Sequence, residues 1–186
     1  RGQEIVGGVS GRVYTRGNNA HHENLSVVSN CTTDALTKVV ASSSNAGGIC
    51  GYQYGALIIG CLNSADVTGS SSVGGVVGYA RDYHTECDGY VIASGSTAEA
   101  TVVATTASGK VGGVAGYTLQ DKANHTNTYY AIVACFSEAQ CKNAILGGQN
   151  STSVFGSWGV GTKSATPYQN VGNYLYQDPS QVTQAD

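Results

Sequence analysis

Four residues that could bind a metal ion alternate along one short stretch of the chain: Asp82, His84, Glu86 and Asp88. In an extended segment, side chains two residues apart point the same way, so all four would face one side. Carboxylates at this density could hold Ca²⁺, and the histidine could help to hold Zn²⁺. Because the spacing is not that of an EF-hand loop, a solvated surface loop is the alternative. No other cofactor is expected.

Histidine and tyrosine side chains gather in the longer polar segments of the chain. Tyrosine offers a ring and a hydroxyl, which suits recognition of a polar ligand such as a carbohydrate. The alternative is that such loops are simply solvated, which is where histidine belongs anyway. The candidate ligand-binding residues are Tyr83, His84, Tyr90, His125, Tyr129 and Tyr130.

The motifs of common enzyme classes are incomplete in this sequence. His22-Glu23 lacks the second histidine of H-E-x-x-H, and Gly109-Lys110 lacks both the upstream glycine and the following Ser or Thr of a P-loop. No G-x-S-x-G elbow occurs. We therefore expect no catalytic residues and a protein that is not an enzyme.

Composition narrows the class of protein further. Of 186 residues, 41% are hydrophobic and only 11% charged, which argues against disorder. The net charge of -3, with scattered Lys and Arg, argues against nucleic-acid binding. The sequence contains no run of 18 apolar residues, so no membrane span is predicted. The chain begins at Arg1 and has no methionine, which suggests a mature or excised form.

Cysteines and glycosylation sequons indicate a secreted or cell-surface protein. Cys31 and Cys61 occupy equivalent positions in neighbouring repeats, so they could pair. Cys87 could pair with Cys135 or Cys141, whereas Cys50 is expected to point outward. Six cysteines allow 15 pairings, and the sequence does not choose among them. The candidate glycosylation sites are Asn24, Asn30, Asn124 and Asn150.

The elements that must position these residues come from an internal repeat. The pattern Gly-Gly-x-x-Gly occurs four times, beginning at Gly7, Gly47, Gly74 and Gly112. Between successive copies lies a second motif, in which Cys31, Cys61, Ser94 and Cys135 form one column. In the same alignment Ala35, Ala65, Ala98 and Ala139 form a second column, four residues later.

Short apolar runs bounded by Gly, Ser, Thr and Asn predict β-strands joined by tight turns. The shortest period, 27 residues from Gly47 to Gly74, suits one coil of a solenoid and is too short for a propeller blade. We therefore predict an all-β, right-handed parallel β-solenoid of about four to five coils, with insertions on one edge. A Gly-rich antiparallel sandwich is the alternative. The expected repeats within the single domain 1–186 are 5–45, 46–72, 73–110 and 111–148, followed by a degenerate coil and cap at 149–186.

The repeat resembles the GLUG motif. The clearest match is Ala46-Gly47-Gly48-Ile49-Cys50-Gly51-Tyr52 followed by Ile58-Ile59-Gly60-Cys61-Leu62-Asn63-Ser64-Ala65-Asp66-Val67-Thr68-Gly69. The resemblance covers roughly residues 5 to 148, with departures at Arg12, where tyrosine would stand, and at the long insertions. It implies a β-solenoid in a bacterial surface or secreted adhesin-like protein, and no catalytic residues.

We expect a non-enzymatic structural or adhesion protein, with self-assembly into a filament as one form of that role. The expected partners are other copies of the chain, joined head to tail or by their edges, or surface glycans and host proteins. The alternative is a carbohydrate-binding module that uses the insertion edge. No nucleic-acid partner is expected.

Overall fold

The fold is described from a computed structural model, for residues 1–15, 25–81, 88–119, 130–143, 145–150, 153–155, 157–159 and 175–176. Their regular secondary structure consists entirely of β-strands. No helix long and apolar enough to cross a membrane is found among these residues.

Each of the first four coils contributes five short strands. Coil 1 contains β1 (Ile5–Gly7), β2 (Ser10–Tyr14), β3 (Val27–Ser29), β4 (Thr32–Thr33) and β5 (Lys38–Val40). Coil 2 contains β6 (Asn45–Gly47), β7 (Cys50–Tyr54), β8 (Leu57–Ile59), β9 (Leu62–Asn63) and β10 (Asp66–Gly69). Coil 3 contains β11 (Ser72–Gly74), β12 (Val77–Arg81), β13 (Gly89–Ile92), β14 (Gly95–Ser96) and β15 (Thr101–Ala104).

Coil 4 contains β16 (Lys110–Gly112), β17 (Ala115–Leu119), β18 (Tyr130–Val133), β19 (Phe136–Ser137) and β20 (Gln140–Cys141). Beyond it lie β21 (Gln149–Asn150), β22 (Ser153–Phe155), β23 (Ser157–Gly159) and β24 (Leu175–Tyr176).

Corresponding strands of successive coils pair in parallel and form five sheets. The strand orders are β1-β6-β11-β16, β2-β7-β12-β17-β21, β3-β8-β13-β18-β22, β4-β9-β14-β19-β23-β24 and β5-β10-β15-β20. Every pairing between strands is parallel. The predicted parallel β-solenoid is confirmed, and the antiparallel alternative is excluded for these strands.

The core consists of apolar side chains stacked on their equivalents in the next coil. Ile58 pairs with Val28 on one side and with Val91 on the other, and Val91 pairs with Ile132. Ile58, Val91 and Ile132 are fully buried. Since stacked strands lie about 4.8 Å apart, each such column buries side chains that a single coil would leave exposed.

The repeated glycine pair lies where two parts of a coil approach closely. A Cβ atom on Gly74 would collide with the carbonyl oxygen of Val77, and one on Gly75 would collide with the hydroxyl of Ser96. The close approach of Gly75 to Ser96 shows that the glycine motif packs against the second motif of the same coil. Only glycine fits both positions without a backbone shift.

One predicted column is wrong. The register pairs Asp66 with Lys38, and Val67 with Val102, so the residues stacked with Ala65 are Thr37 and Ala100. Ala35 and Ala98 instead occupy exposed turns. The turn after β4 and the turn after β14 each hold two more residues than the turn after β9. In the first of them, the Asp34 side chain accepts hydrogen bonds from the backbone N–H groups of Leu36 and Thr37.

The cysteine–serine column is confirmed. It marks a sharp corner at which Asn30, Ala93 and Ala134 adopt positive φ angles of 52°, 47° and 52°, and Gly60 one of 62°. The next residue returns its S–H or O–H to the carbonyl two positions before it: Cys31 to Ser29, Cys61 to Ile59, Ser94 to Ile92 and Cys135 to Val133. These bonds help to hold a left-handed backbone that non-glycine residues rarely adopt.

Candidate functional site

The predicted insertion edge falls mostly outside the described residues. This applies to the metal candidates Asp82, His84 and Glu86, and to Tyr83, His125, Tyr129, Cys87, Asn24 and Asn124. Of the four alternating residues, Asp88 alone is described. No group of three or more potential metal ligands occurs within the described ranges.

Tyr90 lies half-buried on the outer face of β13. Its hydroxyl donates a hydrogen bond of 2.7 Å to the Asp88 carboxylate. Burial, followed by the bond to Asp88, raises the pKa of Tyr90 to about 12. Asn30 is exposed at its corner, whereas Asn150 belongs to β21, and neither placement tests glycosylation.

Tyr130, predicted as a surface ligand-binding residue, is a core residue instead. Its side chain is 1% exposed, and its hydroxyl donates a 2.5 Å hydrogen bond to Oε1 of the buried Gln53. The Nε2 group of Gln53 donates to the carbonyls of Ala56 and Tyr90. Gly89, the residue paired with Tyr130, leaves room for the ring, because a Cβ atom there would collide with it. A ligand in solvent therefore cannot stack on Tyr130.

No disulfide joins the five described cysteines, Cys31, Cys50, Cys61, Cys135 and Cys141, so the disulfides expected among them are not formed here. Cys50, predicted to point outward, is 0% exposed, and burial raises its pKa to about 12. It stacks between Ser10 and Val77, and Cys141 stacks on Val102.

Among the described cysteines, Cys31 and Cys61 are the one pair of neighbours in a column, because Ser94 separates Cys61 from Cys135. Any disulfide of Cys87 lies outside the described residues.

An unpredicted array of tyrosine and arginine side chains covers the outer face of β2, β7, β12 and β17. We call it the tyrosine–arginine ladder. Its first lane is Arg12, Tyr52, Tyr79 and Tyr117, and its second is Tyr14, Tyr54 and Arg81. Within a strand the two lanes are two residues apart, so they share a face.

The ladder residues contact one another along and across the lanes. The ring centroids of Tyr52 and Tyr79 lie 5.0 Å apart at an interplanar angle of 12°, and those of Tyr79 and Tyr117 lie 5.6 Å apart. The Tyr14 and Tyr54 centroids are 5.2 Å apart. The Arg12 guanidinium lies 5.0 Å from the Tyr52 ring centroid and 5.4 Å from that of Tyr14, and Arg81 lies 5.3 Å from that of Tyr54.

This geometry ties coils together and leaves little ring face for a ligand. Tyr79 is stacked between Tyr52 and Tyr117, and burial raises its pKa to about 12. Each aromatic pair stabilises a fold by roughly 0.5–1.5 kcal/mol beyond area burial. The first lane could have been found from the sequence, because Tyr52, Tyr79 and Tyr117 each directly follow a Gly-Gly-x-x-Gly motif.

The end of the solenoid formed by coil 1 carries no further strand within the described part of the chain, although Gly2 bridges to Ala41 beside β5. β1 to β5 are each the last strand of their sheet. Four of the five large hydrophobic side chains found exposed lie in this coil: Val9 at 46%, Tyr14 at 37%, Val27 at 53% and Leu36 at 91%. We call this surface the coil-1 end.

A cavity of about 450 Å³ lies beside β15 and β20 at the other end of the described coils. Its lining includes Val103, Ala104, Gln140 and Lys142. It adjoins a smaller groove of about 210 Å³ on the outer face of the same sheet, with which it shares Thr101 and Val103.

The chain was compared with protein-family models, with curated proteins and with solved structures, and none of the three comparisons found a match. The resemblance to the GLUG motif therefore stays a prediction.

Proposed function

We propose that this chain is a non-enzymatic structural or adhesion module of a secreted or cell-surface protein. In this role it joins head to tail with further copies of itself through the coil-1 end. The observation that carries the proposal is that β1 to β5 are each the last strand of their sheet within the described residues, together with exposed Val9, Val27 and Leu36. The edge of β5 is met in part by the chain itself, because the Gly2 N–H donates to the Val40 carbonyl. An unpaired strand edge is a template for another strand, and an exposed apolar patch favours association.

Head-to-tail contact suits this surface because a further coil would continue every sheet in parallel. Such a contact does not close on itself and therefore produces filaments. Arg12 ends the first lane of the ladder at this surface and would lie near the docked coil. The secreted or surface location is supported by the sequons of the sequence.

The ladder supports this role over carbohydrate binding. A sugar ring packs on the face of an aromatic ring, and the faces of Tyr52 and Tyr79 are turned toward each other. The ladder instead stiffens the coil stack, which a structural module requires.

Sedimentation velocity over a wide range of protein concentration, with electron microscopy of the same samples, tests the proposal. Rods that lengthen as concentration rises are expected. A chain that stays monomeric at the highest concentration, with no rods on the grid, would show that the coil-1 end does not bind another copy.

A further inference from the structure

Coil 4 covers only part of the strand beneath it. On the coil-2 side, β15 pairs through Val102, Val103 and Ala104. On the coil-4 side, only Thr101 and Val102 are paired, with Gln140 and Cys141. The described residues of coil 4 then leave this sheet, because Asn143 bridges to Gly112 instead. Among the described residues, the last part of β15 therefore has no strand on its coil-4 side.

The hydrogen bonds of β15 show which backbone groups this edge offers. The N–H of Thr105 donates to Gly69 of coil 2, whereas the carbonyl of Ala100 accepts from Gln140 of coil 4. Since successive residues of a strand face opposite neighbours, the N–H and C=O groups of Ala104 face the coil-4 side. Pairing on that side stops at Val102, and no partner for Ala104 is found among the described residues.

The cavity beside this edge is open to solvent and has a volume comparable to that of a ligand pocket. Its volume of about 450 Å³ lies within the range usual for ligand pockets, roughly 300–1,000 Å³. Val103, 43% exposed, supplies apolar surface, and Thr101 supplies a hydroxyl group, whereas the hydroxyl of Thr106 already donates to the Ser70 carbonyl. Lys142 is the one charged residue of the described lining, so the cavity has a positive charge with no acidic counterpart in that lining.

We propose that this cavity binds an extended peptide segment, which adds to β15 as a strand and places a carboxylate next to Lys142. Backbone hydrogen bonds to Ala104 supply the pairing, as in other cases where a peptide extends a sheet. The lysine selects an acidic group at the end of the segment nearest β20. This site is distinct from the coil-1 end and does not depend on self-assembly.

The chain itself suggests a probe. β10, which contains Asp66-Val67-Thr68-Gly69, already pairs with the other edge of β15. The acetylated, amidated tetrapeptide Asp-Val-Thr-Gly is therefore titrated into the full chain, and backbone amide shifts are followed by NMR. We expect saturable shifts at Ala104 and Lys142. A peptide with N-methylated Val and Thr should lose binding, because it cannot complete the strand pairing.

A double-mutant cycle tests the charge. Lys142→Met in the protein and Asp→Asn in the peptide should each weaken binding about two- to five-fold, as for an exposed ion pair. Together they should weaken it little further. Lys110→Met, in a lysine outside the cavity lining, is the matched control and should leave binding unchanged.

Several results would overturn the proposal. These are shifts that do not saturate or that map elsewhere, equal binding of the N-methylated peptide, or additive effects in the cycle. Tighter binding of polygalacturonate than of the peptide at the same amides would assign the cavity to an acidic carbohydrate. An Ala104 amide already protected from hydrogen exchange in the free chain would show that the edge is not open.

Discussion

At the scale of single residues, whether a side chain is buried or exposed depends on neighbours from other coils. The sequence predicts Tyr130 on the polar insertion edge, yet it is buried because Gly89 leaves space for the ring and Gln53 accepts a hydrogen bond from its hydroxyl. Gln53 lies 77 positions away in the sequence, so no local pattern could reveal the pair. Whether a side chain at a strand end faces inward is decided by such contacts.

Tyr130→Phe should lower the free energy of unfolding by about 1–3 kcal/mol, because it leaves a buried amide oxygen without its donor. Tyr90→Phe is the matched control, since it removes a hydroxyl that is only half-buried. It should lower the free energy of unfolding by less. Chemical denaturation of both variants measures the difference. Equal losses would mean that the bond to Gln53 does not stabilise the core.

Oxidation should join Cys31 to Cys61 and no other pair among the five described thiols. The sulfur of Cys61 lies 3.6 Å from the carbonyl oxygen of Val28, so it sits between coils 1 and 2, next to Cys31. Adjacent parallel strands lie about 4.8 Å apart, within the Cα range of disulfides. Oxidised glutathione would take up the two thiol hydrogens as it is reduced.

Peptide mapping by mass spectrometry identifies the crosslink. Cys31→Ser should abolish it, and Cys135→Ser should not. A dominant crosslink through Cys50 or Cys141 would contradict the register, because both thiols are buried and neither has a cysteine neighbour in its column.

At the scale of strands and turns, the sequence predicted the columns that recur in every coil and missed the turns whose length differs between coils. The Gly-Gly columns and the cysteine–serine column align because each performs one task in every coil. The alanine column failed because the turns ending at Thr37 and Ala100 are two residues longer than the one ending at Ala65. An alignment without gaps cannot detect such a change. In coil 3 it is hidden further, because Ala98 occupies the position predicted without a gap and Ala100 the position that stacks with Ala65.

The ladder should contribute measurable coupling between coils 2 and 3. A double-mutant cycle of Tyr52→Leu and Tyr79→Leu is expected to give a coupling energy of about 0.5–1.5 kcal/mol, the usual value for an aromatic pair. Unfolding in denaturant measures it. The pair Tyr52 and Tyr117, separated by Tyr79, is the control and should show little direct coupling. Zero coupling between Tyr52 and Tyr79 would mean that the stacked rings do not hold the coils together.

At the scale of the whole molecule, the parallel solenoid followed from the sequence because only a stack of coils explains columns in register. The function could not be predicted from the sequence in the same way. The residues first expected to bind a ligand lie mostly outside the described part of the chain, while the coil-1 end becomes visible only once the strands are assembled. Because this surface is built from five separate strands, no continuous stretch of the sequence identifies it.

Adding charge to the coil-1 end should reduce assembly. Val27→Lys combined with Leu36→Lys replaces two exposed apolar side chains and should shift self-association to higher concentration. Ala98→Lys, in an exposed turn of coil 3, is the control and should assemble like the unmodified chain. Sedimentation velocity measures both. An equal effect of all substitutions would place the contact elsewhere.

The register of the stack is tested most directly by engineered cysteine pairs on its outer face. Tyr52 and Tyr79 are paired residues of adjacent coils, whereas Tyr52 and Arg81 are offset by two positions. Tyr52→Cys with Tyr79→Cys should form a disulfide under mild oxidation, since the two Cα atoms lie within bonding range. Tyr52→Cys with Arg81→Cys should not, because the offset exceeds that range. Crosslinking of the offset pair in preference to the aligned pair would contradict the parallel, in-register solenoid.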